Sequence, residues 1–196
     1  DNGKTETNIY KVSDYDQSDY IVIQVIGINS KHVYETKHVH LDDPKYKMEK
    51  KWFLRALATL DQSLNPVPQE LNEIDWKISL SNKERTVEHL IAFANHPGGG
   101  YLVFGVQDGD ATLIGINQSQ AQGIINTLAN LGRDAIEPPL QIDHTIELVE
   151  DCPLLFIYIP EQAHKPAYRR GKSLEEAWVR SGGTTRKASR HEVGGL

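Results

Sequence analysis

Cysteine is almost missing from this chain: among 196 residues there is one, Cys152. An internal disulfide is therefore excluded, and with it the small secreted scaffolds that depend on such bridges. The thiol sits beside Leu154, Leu155 and Phe156 and reads as a small core residue, which fits a reducing, cytoplasmic setting. Long apolar runs are missing too. No stretch approaches the roughly 18 residues of a membrane-spanning helix, so no membrane partner is expected. The chain has no Gly-x4-Gly-Lys-Ser/Thr loop, and its one glycine run, Gly98 to Gly100, follows a helical pattern and precedes a strand, the reverse of the order a phosphate-binding loop needs. ATP hydrolysis is not expected. Neither His89 nor His96 has a serine or cysteine partner at a motif-like spacing, so a hydrolase triad is not supported, and both read as surface or cap residues. No repeat and no low-complexity segment occurs.

What is present is an ordinary globular composition, 39% hydrophobic and 24% charged, with a net charge of −6. The most organised stretch runs from Glu70 to Ile116. Ile74, Trp76 and Ile78 alternate with polar residues, the period of a half-buried strand. Ser81 or Asn82 can cap a helix whose Val87, Leu90, Ile91 and Ala94 share one face. Asn95-His96-Pro97 ends that helix, and the three glycines turn the chain. Tyr101 to Val106 is a nearly continuous apolar run, the mark of a strand covered on both faces. Gln107 to Asp110 has turn composition, and Thr112 to Ile116 reads as a return strand.

Upstream, the runs 20–26 and 32–41 read as a β-hairpin and 44–64 as an amphipathic helix. Pro66 and Pro68 then suggest a boundary, giving an N-terminal extension over 1–66 and a main domain over 67–196. Residues 1–17 are polar and aperiodic. Downstream, 118–132 reads as a second amphipathic helix, 140–149 and 154–159 as strands, 165–168 as extended, 177–180 as a short strand and 182–186 as a loop. The order of elements predicts an α+β fold: a mixed, mainly antiparallel sheet with two packed helices, preceded by the hairpin and helix.

Several blocks in this order resemble the Schlafen-type AlbA-like domain. They are Asp75-Trp76-Lys77, Ala92-Phe93-Ala94-Asn95, Gly98 to Gly100, Gly105-Val106-Gln107-Asp108 and Gly115-Ile116. Val179 to Arg186 is similar to the family's closing Arg-Val-Gly-Ser-Ser-Thr-Arg block. The family more often has Glu-Phe-Lys in the first block, so Asp75-Trp76 departs conservatively. The resemblance covers about residues 70–193 and implies the same α+β fold and a nucleic-acid-binding role within a larger bacterial regulator or defence protein. In nucleolytic members three carboxylates act together. By position these are Glu70, Asp75 and Asp108, with Glu70 placed by spacing alone. Clustered carboxylates suit Mg²⁺ or Mn²⁺, which would be needed only if the domain were a nuclease; otherwise no cofactor is expected. Without a metal, Asp108 would cap the turn at Gly109 while Glu70 and Asp75 stay solvated.

Charge is unevenly spread. Residues 165–190 hold eight basic side chains against Glu175 and Glu176. Lys165, Arg169, Arg170, Arg180, Arg186 and Lys187 are the candidate phosphate contacts, and Tyr168 and Trp178 offer stacking surfaces to unpaired bases. The leading expectation is DNA or RNA binding with low sequence specificity. Two alternatives stay open: a metal-dependent endoribonuclease using the three carboxylates, and a protein-interaction or homodimerisation module presenting the hairpin and the helix bearing Trp52 and Phe53. His38, His40 and Asp42 match a metal-ligand pattern, although a solvent-facing strand produces the same alternation.

Overall fold

The structure is a computed structural model that describes residues 20–26, 33–40, 44–65 and 67–196, with side-chain packing from Trp52 onward. It divides into two compact units, Asp1–Lys51 and Trp52–Leu196. In the first, β1 (Tyr20–Ile26) pairs antiparallel with β2 (Val33–His40), in a register that sets Tyr20 against His40 and shifts between Val25 and Ile26. This is the hairpin read from the β-branched runs. The side chains of His38 and His40, all of Asp42, and residues 1–17 lie outside the described residues. Helix α1 (Pro44–Leu64) follows, and its second half, from Trp52, belongs to the second unit.

The second unit is built on a four-stranded sheet. Its elements in chain order are β3 (Ile74–Lys77), α2 (Lys83–Asn95), β4 (Gly100–Phe104), α3 (Gln118–Ala135), β5 (Ile136–Glu137), β6 (Asp143–Val149), β7 (Cys152–Ile159), β8 (Tyr168–Arg169), a 3-10 turn at Leu174–Glu176, β9 (Trp178–Ser181), β10 (Thr184–Lys187) and α4 (Arg190–Val193). The sheet order is β3-β4-β7-β6; β3 and β4 run parallel and the other pairs antiparallel. The fold is α+β with an open, mainly antiparallel sheet, as the order of elements predicted. Among the described residues no helix is long and apolar enough to cross a membrane.

Two apolar layers sandwich the sheet. On one face Leu90, Ile91 and Phe93 of α2 and Leu128 of α3 pack on Leu102, Phe104, Leu155 and Ile157. On the other, Ala56 and Leu60 of α1 are buried with Ile74, Trp76, Val103 and Phe156. Trp52 stacks on Tyr158 with centroids 5.6 Å apart, and Phe53 meets Phe156 edge-on at 5.1 Å. These two aromatics are therefore committed to the sheet, not held out as the docking surface the sequence suggested. The sandwich explains why the β4 and β7 segments read as continuous apolar runs: each is covered from both sides.

Three local expectations are corrected. Thr112–Ile116 is not a strand beyond a single bridge between Val106 and Leu113. Instead the amides of Ile114 and Gly115 both donate to Gly105 O, in a backbone crossing so tight that a Cβ on Gly105 would lie 2.9 Å from the Gly115 carbonyl carbon. The stretch 182–186 is not a loop: Gly182 and Gly183, both at positive φ, close the β9–β10 hairpin. His89 is not a surface residue; it is buried, 5% exposed, on the sheet side of α2.

Candidate nucleic-acid interface

The β9–β10 hairpin and β3 meet around a buried set of charges. Strand alternation places Ile74 and Trp76 of β3 against the α1 layer, so Asp75 points the other way, towards α2. Its carboxylate is almost wholly enclosed, with 1% exposure. Lys77 Nζ lies 3.2 Å from Oδ1, while His89 Nδ1 lies 3.1 Å and Arg180 Nη1 3.8 Å from Oδ2. Neither carboxylate oxygen accepts a well-aligned hydrogen bond, so these neighbours act mainly through charge and dipole.

Burial alone would raise the Asp75 pKa. The polar contacts with His89 and Glu70 and the positive charge of Lys77 outweigh it, and hold the carboxyl well below the usual range. Glu70, half-buried at the entrance to β3, goes the other way. Burial, then the neighbouring Asp75 carboxylate, push it up to about 8, against the pull of Lys77 and Arg180. At neutral pH the proton therefore sits on Glu70 and the negative charge on Asp75. His89 is pushed below its ordinary value by burial, although Asp75 pulls it up, so it is neutral at pH 7 and touches Asp75 as a dipole rather than as a cation.

Arg180 ties this cluster to the backbone. Its side chain is fully buried and donates from Nη2 to Leu71 O (2.9 Å) and Ile74 O (3.1 Å), from Nε to Asn72 O (3.2 Å), and from Nη1 to Thr185 Oγ1 (3.1 Å). The guanidinium also lies 4.7 Å from the Phe93 ring centroid. Expected at a phosphate, Arg180 is instead an internal clamp with its donors already used. The expectation failed because a strand puts alternate residues inside, whatever their charge.

The three candidate carboxylates do not converge. Glu70 and Asp75 are in contact, but Asp108 lies on the exposed turn after β4, where Asp110, not Asp108, caps the Thr112 amide at 3.1 Å. Among the described residues no group of three His, Cys, Asp or Glu side chains could hold a metal ion. The space beside Asp75 is filled by Lys77, His89 and Arg180. The residues as placed do not fit a divalent cation, so no metal-assisted step is derived from them.

The remaining basic candidates lie outside the core, and each meets an acid. Lys165 pairs with Glu161 at 2.6 Å, Arg170 with Glu137 at 3.3 Å, Lys187 with Glu176 at 2.7 Å, and Arg169 reaches Glu88 at 4.0 Å. Arg186 makes a two-pronged contact with Glu192, Nη1 to Oε2 at 2.9 Å, and Arg190 pairs with Glu175 at 2.7 Å. Arg170, Arg186 and Lys187 keep 40–50% of their side chains exposed; Lys165 keeps only 13%. Trp178 packs partly into the α2–α3 layer, which limits it as a stacking surface.

Sequence reasoning missed Asn95 as a structural hub. Its side chain bonds Ala167 N (2.6 Å), Ala167 O (2.9 Å) and Trp178 O (3.0 Å), fastening β8 and β9 to the end of α2. The signal was its place at the end of the Ala-Phe-Ala-Asn block.

The family model described as Schlafen, AlbA_2 matches residues 70–189. The chain belongs to that family. The match spans β3 through β10: the sheet, α2 and α3 on one of its faces, and the hairpin that Arg180 clamps. Among solved structures, the Schlafen, AlbA_2 domain is similar to the DIP2311 protein from Corynebacterium diphtheriae, with 18% identity and a TM-score of 0.47. That match covers 72% of this chain but 28% of the other, so the chain spans little more than a quarter of its relative's length. The N-terminal domain of a RecG-related protein from Nitrosomonas europaea is similar at 26% identity and a TM-score of 0.46, over 69% of this chain and 95% of that one. No curated protein matches.

Proposed function

We propose that this Schlafen, AlbA_2 domain binds the phosphate backbone of DNA or RNA with little sequence preference, in the cytoplasm, as part of a larger bacterial regulator or defence protein. The observation that carries the reading is the division of labour on the β9–β10 hairpin. Arg180 and Thr185 are buried and fasten it; Arg186 and Lys187, on alternate faces of β10, keep about half of their side chains exposed on a hairpin that the clamp holds. Rigid presentation lowers the ordering cost of each phosphate contact. The acids opposite these cations do not forbid the role, because an exposed ion pair is worth about 0–1 kcal/mol and can be exchanged for a phosphate. Such contacts position a strand without reading its bases.

The test is fluorescence anisotropy with short labelled oligodeoxythymidylate and oligouridylate. Reversing both exposed cations, Arg186→Glu with Lys187→Glu, should weaken binding by at least about tenfold. It should also flatten the salt dependence, by roughly 0.7 in log–log slope for each phosphate of a single strand that is no longer neutralised. Unchanged affinity in a variant that melts like the parent would reject the assignment.

A further inference from the structure

Helix α4 has an unusual standing in this fold. It is four residues long, buries none of its side chains, and begins just past residue 189, where the family match ends. Such a short helix is not stable by itself in water. Two ion pairs hold it: Arg190 to Glu175 on the 3-10 turn, and Glu192 to Arg186 on β10. Glu192 has a second task. As the third residue of a capping box it accepts from the Ser189 amide at 2.9 Å, while the Ser189 hydroxyl accepts from the Glu192 amide. Hydrogen bonding from Arg186, then from Ser189, holds this carboxyl well below the usual range, so it is charged at any ordinary pH. Beneath α4 lies a groove of about 480 Å³ whose walls include His96, Val179, Ser181 and Arg186.

A planar carboxylate gripped by both arms of a guanidinium occupies the geometry that a phosphate would take. Resting on the nucleic-acid reading above, we propose that α4 is a detachable strap: Glu192 sits in the Arg186 fork as an internal stand-in for a phosphate, and a nucleic-acid strand binds by displacing it and lifting α4 off the groove. With no fully buried side chain to extract, the cost of lifting is that of two exposed ion pairs, one turn of helix and the partly buried Val193. A lone phosphate has little advantage over a tethered carboxylate. A strand that presents several phosphates reaches Lys187 as well, so the strap selects polyanions over mononucleotides.

A four-member cycle on the full chain tests this: the parent, Glu192→Gln, Arg186→Gln and the double variant, each titrated with labelled oligodeoxythymidylate and oligouridylate. Glutamine preserves the capping box and removes only the charge. Glu192→Gln should tighten binding up to about fivefold, the equivalent of one exposed ion pair, and this gain should vanish when Arg186 is already glutamine. Amides of Val193 and Gly194, which close the α4 turn, should exchange faster in the bound state. An equal gain in both Arg186 backgrounds would reduce Glu192 to a general negative charge and overturn the strap. If the parent binds and Glu192→Gln brings no gain, the strap fails while the binding function stands. If none of the four proteins binds, the nucleic-acid reading fails, and the strap with it.

Discussion

Asp75 shows how far a single residue could be read from the sequence. The Asp-Trp-Lys block marks it as special, and it is: a carboxylate enclosed in the fold, kept ionised by its neighbours. Its partners were not legible, because His89 and Arg180 come to it only through the packing of α2 and of the hairpin. The same holds for Glu70, which was placed by spacing alone and turns out to carry a proton at neutral pH. A carboxyl whose pKa is raised on folding contributes stability that is fully present below its unfolded value of about 4.5 and is lost as pH climbs through about 8. Glu70→Gln imitates the protonated form permanently. The variant should therefore gain stability relative to the parent as pH rises from 5 to 9, when urea melts are compared at each pH. His89 destabilises both proteins alike below its ordinary value of 6.5, since an unfolded histidine takes up the proton that the buried one resists, and it cancels from the difference. A stability gap that does not move with pH would show that Glu70 titrates as an ordinary surface acid.

Among the elements, those with a strong pattern were legible in advance: α2 and α3 fall close to where the apolar stripes put them, and β4 and β7 close to where the continuous apolar runs do. The β9–β10 hairpin was half seen, because a Gly-Gly pair looks like a loop until its two strands are known to pair. What fastens it could not be read. Arg180 spends its donors on the backbone of Leu71, Asn72 and Ile74, Gly183 N donates to Asn72 Oδ1 at 3.0 Å, and a Cβ on Gly183 would meet Glu70 O at 2.3 Å. Removing the arginine leaves three carbonyls without their donor and Asp75 with only Lys77 and His89 beside it. Arg180→Met should cost about 3–5 kcal/mol in denaturant unfolding, the range for breaking one side of a buried ion pair. Lysine should not restore it, since an ammonium cannot span the same acceptors. A loss below about 1 kcal/mol would mean that the hairpin is held by its apolar contacts and that the clamp is incidental.

Across the whole molecule, the charge asymmetry written along the chain is much weaker in space. The eight cations of residues 165–190 look like a basic face, yet Glu88, Glu137, Glu161 and Glu192 reach four of them from other parts of the fold, Glu175 and Glu176 pair with two more, and Arg180 is buried beside Asp75. Linear spacing cannot show this, because all four of those acids lie outside the basic run, Glu88 and Glu137 far from it. The extent of the packed unit is hidden in the same way. Pro66 punctuates the sequence, but Ala56 and Leu60, upstream of it, are buried against Trp76, Val103 and Phe156. A fragment starting at Val67 would expose that entire sheet face, including the rings of Tyr101 and Tyr158, the second of which Trp52 covers from α1. At about 25 cal/mol per Å² of apolar surface, even a few hundred Å² newly exposed would cost several kcal/mol, comparable with the whole stability of a domain. A fragment over residues 67–196 should therefore be aggregation-prone or unfolded, with little near-ultraviolet circular dichroism. One over residues 52–196 should melt cooperatively near the temperature of the full chain, provided that α1 holds its last turns without its first. Equal melting of the two fragments would place the boundary of the folding unit at Pro66 after all, and would make the α1 contact a cover rather than a part of the core.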